Sequence, residues 1–242
     1  MSKRNEIMCT SDLKTYSEAI ELLFREKAEL QKFAQSKQEV KLPSSFHKTL
    51  CWCAGLSEVF KENPARIHLA GVRSEVVNIL ALLPFYFYRQ SLICLRIILD
   101  EVLAFSYFES HPKEFKTLLS DSDFYISKKN IYEFHKVHSW GNINLEQLHV
   151  WGGIESQYKE LSRIIHAQTP NHISITTSFH SFKYEKKELD SVIQMVEKND
   201  EAISVFFASI YHEEFNEFTD DFKKTIIKSW DRQFIKNIGL RP

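Results

Sequence analysis

The chain has 242 residues, 43% apolar and 13% aromatic, enough to bury a sizeable core, and its formal net charge of −1 excludes a global attraction to nucleic acid or an anionic bilayer. Its 6 Gly and 6 Pro are too few for a many-turned β-sandwich or barrel, whereas long helices need few such punctuators. The four cysteines, Cys9, Cys51, Cys53 and Cys94, match neither a disulfide framework nor paired CxxC zinc knuckles, which points to a reducing cytoplasm.

The start MSKRNEIMC is too polar for a signal peptide, and the apolar run VVNILALLPFYFY is short and interrupted by Asn78 and Pro84, so a soluble chain with no membrane association is expected. In chain order, Leu13, Tyr16, Ile20, Leu23, Phe24, Leu30 and Phe33 recur at spacings of three and four, predicting an amphipathic helix from Asp12 to about Gln38. Pro43 with Ser44 and Ser45 restarts a helix that stops near Asn63-Pro64, and a third runs from about Arg66 to Leu83, with Pro84 ending or kinking it. A fourth spans Phe85 to His111, Pro112 opens a short helix through Leu119, and Ser127 to His138 forms another.

After the loop SWGNIN, a helix is predicted from Ile154 to about Ala167. The Thr-, Ser- and β-branched-rich segment from Thr169 to Tyr184 suits a short strand or an extended loop. Two last helices, about Lys187 to Phe215 and Thr219 to Ile238, complete an all-α helical bundle in one domain, 1–242, around a long central apolar helix. Residues 1–64 form an N-terminal helical extension and 216–242 a C-terminal basic amphipathic helix.

The central helix, FYFYRQSLICLRIILDEVLAFSYFESHP, is apolar nearly all round, as a helix in the middle of a bundle must be. Arg89, Arg96, Asp100 and Tyr107 nevertheless fall within about 40° of one another on its wheel. One reading makes Arg96 and Asp100 an internal i,i+4 ion pair that fixes register; the other has Arg89 and Arg96 hold a phosphate or carboxylate, which the guanidinium fork suits. A second polar corner lies in YKELSRIIHAQTPNH, where Tyr158, Ser162 and His166 stack at i, i+4 and i+8 with Arg163 about 60° round from His166. Thr169-Pro170-Asn171 leaves His166 in the last turn, a place for a capping histidine or for a catalytic one.

An all-helical chain with the Arg-bearing apolar segment CLRIILDEVLAFSYF followed by YKELSRIIH resembles the HEPN (higher eukaryotes and prokaryotes nucleotide-binding) superfamily and related helical proteins of bacterial abortive infection. The resemblance covers residues 66–210 and implies a HEPN-like core, frequent homodimers, and often a metal-independent endoribonuclease of toxin–antitoxin or antiphage systems. Carried over, it makes His166 a general acid or base and Arg163 or Arg96 its phosphate-binding partner, with Asp100, Tyr158 and Ser162 in support. The sequence departs from the family pattern in spacing: only two residues separate Arg163 from His166, and eight separate it from His172, whereas the family's Arg and His stand further apart than the first pair. A relative that binds RNA or protein without cleaving is the other outcome of that departure.

No metal or cofactor is expected. His135 and His138 stand three apart without a carboxylate or cysteine to complete a site, and Cys51 and Cys53 in CWC point about 200° apart on a helix. There is no P-loop, GxGxxG, GxSxG, HExxH or EF-hand loop. Lys224, Lys228, Arg232 and Lys236 recur every four residues beside Phe222, Ile226, Trp230 and Phe234, a basic stripe that reads either as a solvated face or as a surface for RNA or an acidic partner. The functional expectation is an RNA-binding or RNA-cleaving component of a defence system, with RNA and a protein partner from the same system as its contacts; the alternative is a non-enzymatic interaction subunit. The 19 phenylalanines leave room for an oligomer surface.

Overall fold

A computed structural model describes residues 43–137, 150–166, 184–228, 230–238 and 240. The expected helix from Asp12 to about Gln38, the loop SWGNIN, His138, His172 and the segment 169–183 lie outside these residues. Among the described residues there are nine α-helices and no strand, so the chain is all-α. They are α1 (His47–Val59), α2 (Ile67–Leu82), α3 (Tyr88–Phe108), α4 (Pro112–Ser120), α5 (Lys128–Val137), α6 (Val150–Ile165), α7 (Lys186–Ile210), α8 (Asp220–Ile227) and α9 (Arg232–Asn237).

Local chemistry sets several boundaries. Asn63 accepts the Ala65 N–H at 2.9 Å, ahead of Pro64, and so starts the turn that leads into α2. At the other end of α2, Pro84 sits in a short 3₁₀ turn, and Tyr86 at φ 62° takes the left-handed position usually given to glycine. Tyr86 N–H donates to Leu83 O and Phe87 N–H to Leu82 O, which is the Schellman pattern, and the buried Tyr86 ring lies against Tyr88 and Tyr184. That packing offsets the cost of a left-handed tyrosine, about 1 kcal/mol, and the reversal sends α3 back along α2.

Contacts fix the directions. His68 meets Glu101, and Glu75 meets Cys94, so α2 and α3 are antiparallel in register. Arg89 reaches Ile165 while Arg96 reaches Ser162, so α6 runs antiparallel to α3. Asn199 donates to Gln157, placing α7 against α6, and Phe207 and Tyr211 of α7 also pack on Phe105 of α3. α1, part of the expected N-terminal extension, shares the core. It lies parallel to α7, with Thr49 N–H donating to the Asp200 carboxylate and Trp52 Nε1 to Ser204 Oγ.

Trp52 is fully buried against Phe207, Phe215 and Phe218. Gly55 admits the Phe218 ring, which would stand 2.5 Å from any Cβ there. Phe105, Phe206, Phe207 and Tyr211 continue this aromatic layer, so much of the high phenylalanine content goes into the core. Cys53 is a buried thiol pushed up to about 12 by burial, and His135 is buried with Nε2 at 3.0 Å from Ser106 Oγ. Both fit the structural reading of those residues.

Two expectations are corrected. α7 ends at Ile210, five residues before Phe215, and a 3₁₀ turn Glu214–Glu217 follows. The single C-terminal helix expected over Thr219–Ile238 is instead α8 and α9. Asp231 caps α9 by accepting the Phe234 N–H at 2.7 Å, while Trp230 Nε1 donates to Glu201 at 2.6 Å and is pinned to α7. A helix cannot run through both constraints. Lys224, Lys228, Arg232 and Lys236 are all exposed, but they stand on two helices and the turn between them.

The stretch Pro64–Phe85 is long and apolar enough to cross a bilayer by length and composition alone. It carries Arg73 and Glu75, each costly in hydrocarbon. Its outer face leaves Ile67 60% and Val77 62% exposed.

Candidate functional site

The polar line of α3 does face a neighbour, and the neighbour is α6. Arg96 pairs with Asp100 one turn on, as its spacing requires, and its Nε donates to Ser162 Oγ at 3.3 Å. Its guanidinium also lies over the Tyr158 ring, 3.2 Å from the centroid. Arg89, two turns earlier, donates from Nη2 to Ile165 O at 2.8 Å and so satisfies a carbonyl left open at the end of α6. Its Nε is buried without a partner. Tyr107, the fourth member of the line, turns elsewhere: its hydroxyl donates to Glu114 at 2.6 Å and its ring stacks on His111.

Two segments that the sequence placed 62 to 76 residues apart are thus brought together, Arg89 and Arg96 against Tyr158, Ser162 and the end of α6. A residue the sequence reading passed over joins them. Lys128, the first residue of α5, reaches Asp100 at 2.9 Å and lies 3.6 Å from the Tyr158 centroid. One carboxylate therefore serves two cations, and one phenol ring receives both. Burial disfavours every charge here: it lowers Arg96, raises Asp100 against the pull of Arg96, and pushes the Lys128 ammonium down to about 8. Tyr132 beside them is raised to about 12, by burial first and Glu155 second. Arg96 is nearly enclosed, with 12% of its side chain exposed, whereas Asp100 at 42% and Lys128 at 30% open to solvent.

The expected catalytic pair stands just outside this cluster. Arg163 and His166 are both exposed, and the His166 N–H donates to Ser162 O at 2.9 Å as the last hydrogen bond of α6. With Lys159, also exposed, they occupy positions i, i+4 and i+7, within about 60° of arc on α6. Tyr158 and Ser162 lie on the flank of that stripe, and Ile154, Gln157 and Leu161 are buried on the opposite side. Glu155 precedes the stripe by one turn. Lys159 was legible in the sequence from this i, i+4, i+7 pattern; Lys128 was not, because only the tertiary fold brings α5 over Tyr158.

Among the described residues, no three of His, Cys, Asp and Glu gather as a metal site. Comparison with protein-family models, with curated proteins and with solved structures finds no match to this chain.

Proposed function

We propose that this is an RNA-binding helical protein that holds a phosphodiester backbone along the outer edge of α6. Its place as a cytoplasmic component of a toxin–antitoxin or antiphage system, with a protein partner from that system, follows from the HEPN-like motifs alone. The observation that carries the RNA reading is the exposed stripe Lys159, Arg163 and His166, bordered by half-open Lys128. Lys159 and Arg163, four residues apart, stand about 6 Å from one another along the axis, and exposed cations in a row are what a phosphate backbone requires. Arg89 and Arg96 take a supporting part: they are already engaged, and they hold α6 in place.

Metal-independent cleavage is the stronger form of this proposal. In it His166 exchanges a proton with the 2′-hydroxyl or the leaving oxygen, and Arg163, the exposed arginine, stabilises charge on the phosphate. The test is incubation with total RNA and with tRNA in chelator, comparing wild type with His166→Ala at matched circular dichroism. Cleavage lost in the variant establishes a ribonuclease; binding without cleavage in both establishes a binding protein.

A second reading, a non-enzymatic interaction subunit, is favoured by the open face of α2, with Ile67, Val77 and, on neighbouring α3, Ile93 exposed. Its signature is a change of oligomeric state in Val77→Glu with RNA binding untouched, read by sedimentation.

A further inference from the structure

Lys128 and Lys129 adjoin at the start of α5, in the stretch SKKN, yet the fold gives them opposite surroundings. Lys129 is 81% exposed and meets Glu133, one turn on, at 3.6 Å. Lys128 is 30% exposed, with its Nζ 2.9 Å from Asp100 Oδ1 and 3.6 Å from the Tyr158 centroid. Three helices therefore close around one amine: α3 supplies Asp100 and Arg96, α6 supplies Tyr158, and α5 supplies Lys128 as its first residue. A helix start carries roughly half a positive elementary charge, an unfavourable place for an ammonium.

Two cations share the Asp100 carboxylate, and they are not equivalent. The Arg96 guanidinium is paired and hydrogen-bonded to Asp100 and keeps its proton at any pH a protein meets. It also lies over the Tyr158 ring, so the Lys128 ammonium shares that ring with a permanent positive charge. A lysine beside a second cation and partly withdrawn from water is the arrangement that turns an ammonium into a nucleophilic amine. Burial pushes Lys128 down to about 8 from an ordinary 10.5. Asp100 pulls the other way, but its charge is divided with Arg96 and its own carboxyl is raised by burial. Because Asp100 is 42% exposed, the pair is open to solvent on that side.

We propose that Lys128 is an acylation site, whose amine takes an acyl group from a small activated donor, an acyl phosphate or an acyl thioester. The neutral amine nitrogen attacks the donor carbonyl carbon and a C–N bond forms. The C–O bond to phosphate, or the C–S bond to the thiol, breaks, and its electron pair leaves with the phosphate or thiolate. The proton released by the nitrogen passes to Asp100, 2.9 Å away, and through water to the leaving group. The product is a neutral amide, which leaves Asp100 to Arg96 alone and takes one cation from the border of the α6 edge. The reaction uses Lys128, Asp100 and the donor, so it does not rest on the RNA reading.

The test incubates the full chain with acetyl phosphate in one arm and an acetyl thioester in the other, and follows each lysine by peptide mass spectrometry across a pH series. The expected result, in at least one arm, is acetylation of Lys128 about tenfold faster than of its neighbour Lys129 near neutral pH. The Lys128 rate levels off above about 8, where its amine is already free, while the Lys129 rate continues to climb. In concentrated urea the two lysines react alike. The arm that reacts identifies the donor. Equal rates for the two lysines of the folded chain in both arms overturn the proposal, and so does a Lys128 advantage that persists in urea, which would owe nothing to the fold.

Discussion

The two ends of α3 are built on opposite principles. At its N-terminal half, Arg89 and Arg96 sit among partners, a carbonyl, a hydroxyl, a carboxylate and a phenol ring, and these contacts tie α6 to the central helix. At its C-terminal end, Glu109 shares an aromatic wall with Tyr211 and Phe60 but has no cation to answer it. Charge beside α6 is organised and partly open to solvent; among the described residues, Glu109 and Glu214 beside Tyr211 have no lysine or arginine partner, and His212 favours the Glu214 charge. Polar residues in one apolar helix hold structure where they are paired; where they are not, burial drives them toward the neutral form.

The largest effect separates the two ends by packing. Phe105 is fully buried against Phe60, Phe207 and Tyr211, so Phe105→Ala should cost about 4 kcal/mol of stability in denaturant unfolding. A cost under about 1 kcal/mol would mean that the aromatic end collapses freely around a void. Next comes Asp100→Ala, which leaves Arg96 and Lys128 facing one another over Tyr158. Because Asp100 is partly exposed, the expected loss is about 2 kcal/mol rather than the larger value of a fully buried pair. Replacing Lys128 with Met in the same background should recover part of it, a double-mutant cycle that sharpens the claim of one carboxylate for two cations.

Glu109 and Lys128 give pH dependences of opposite sign, with raised Asp100 on the same side as Glu109. Glu109 moves from an ordinary 4.5 up to about 7, so between those values the folded chain holds the extra proton and stability falls as pH rises. Asp200, raised to about 6 by burial against its hydrogen bonds from Thr49, works in the same direction. Glu109→Gln should flatten that fall and leave the variant the more stable protein above pH 7. Lys128, lowered from 10.5 to about 8, contributes the reverse: stability rises between pH 8 and 10.5, and Lys128→Met removes that rise. Urea midpoints measured across pH check both slopes. The smallest effect is expected at His166, an exposed residue in the last turn of α6, where His166→Ala should change stability by less than about 0.5 kcal/mol. A loss above about 1 kcal/mol would mark it as a structural cap instead.

Periodicity made most of this fold legible. The helices around Pro112–Leu119 and Ser127–His138 fall within a few residues of their expected bounds because each has a strong apolar spacing and a nearby Pro or Ser, and the one around Arg66–Leu83 because Pro64 and Pro84 flank it. The C-terminal break was not legible, since it depends on Trp230 reaching Glu201 across the fold, which no local pattern encodes. In the site, the i,i+4 pairing of Arg96 with Asp100 was readable from spacing alone, whereas Lys128 over Tyr158 and the meeting of Phe105 with Tyr211 are products of topology. Helix ends were read as punctuation, so the charge that collects where two of them meet had no sequence signal.

The central claim is that the outer edge of α6 binds an RNA backbone. The direct measurement is fluorescence anisotropy of a labelled single-stranded RNA across a salt series, comparing wild type with the double variant Lys159→Ala/Arg163→Ala. Saturable binding is expected, with a logarithmic salt slope that shrinks by about 1.4 in the double variant, about 0.7 for each lost phosphate contact. An absence of binding by the wild type, or an unchanged slope in the double variant, would contradict it.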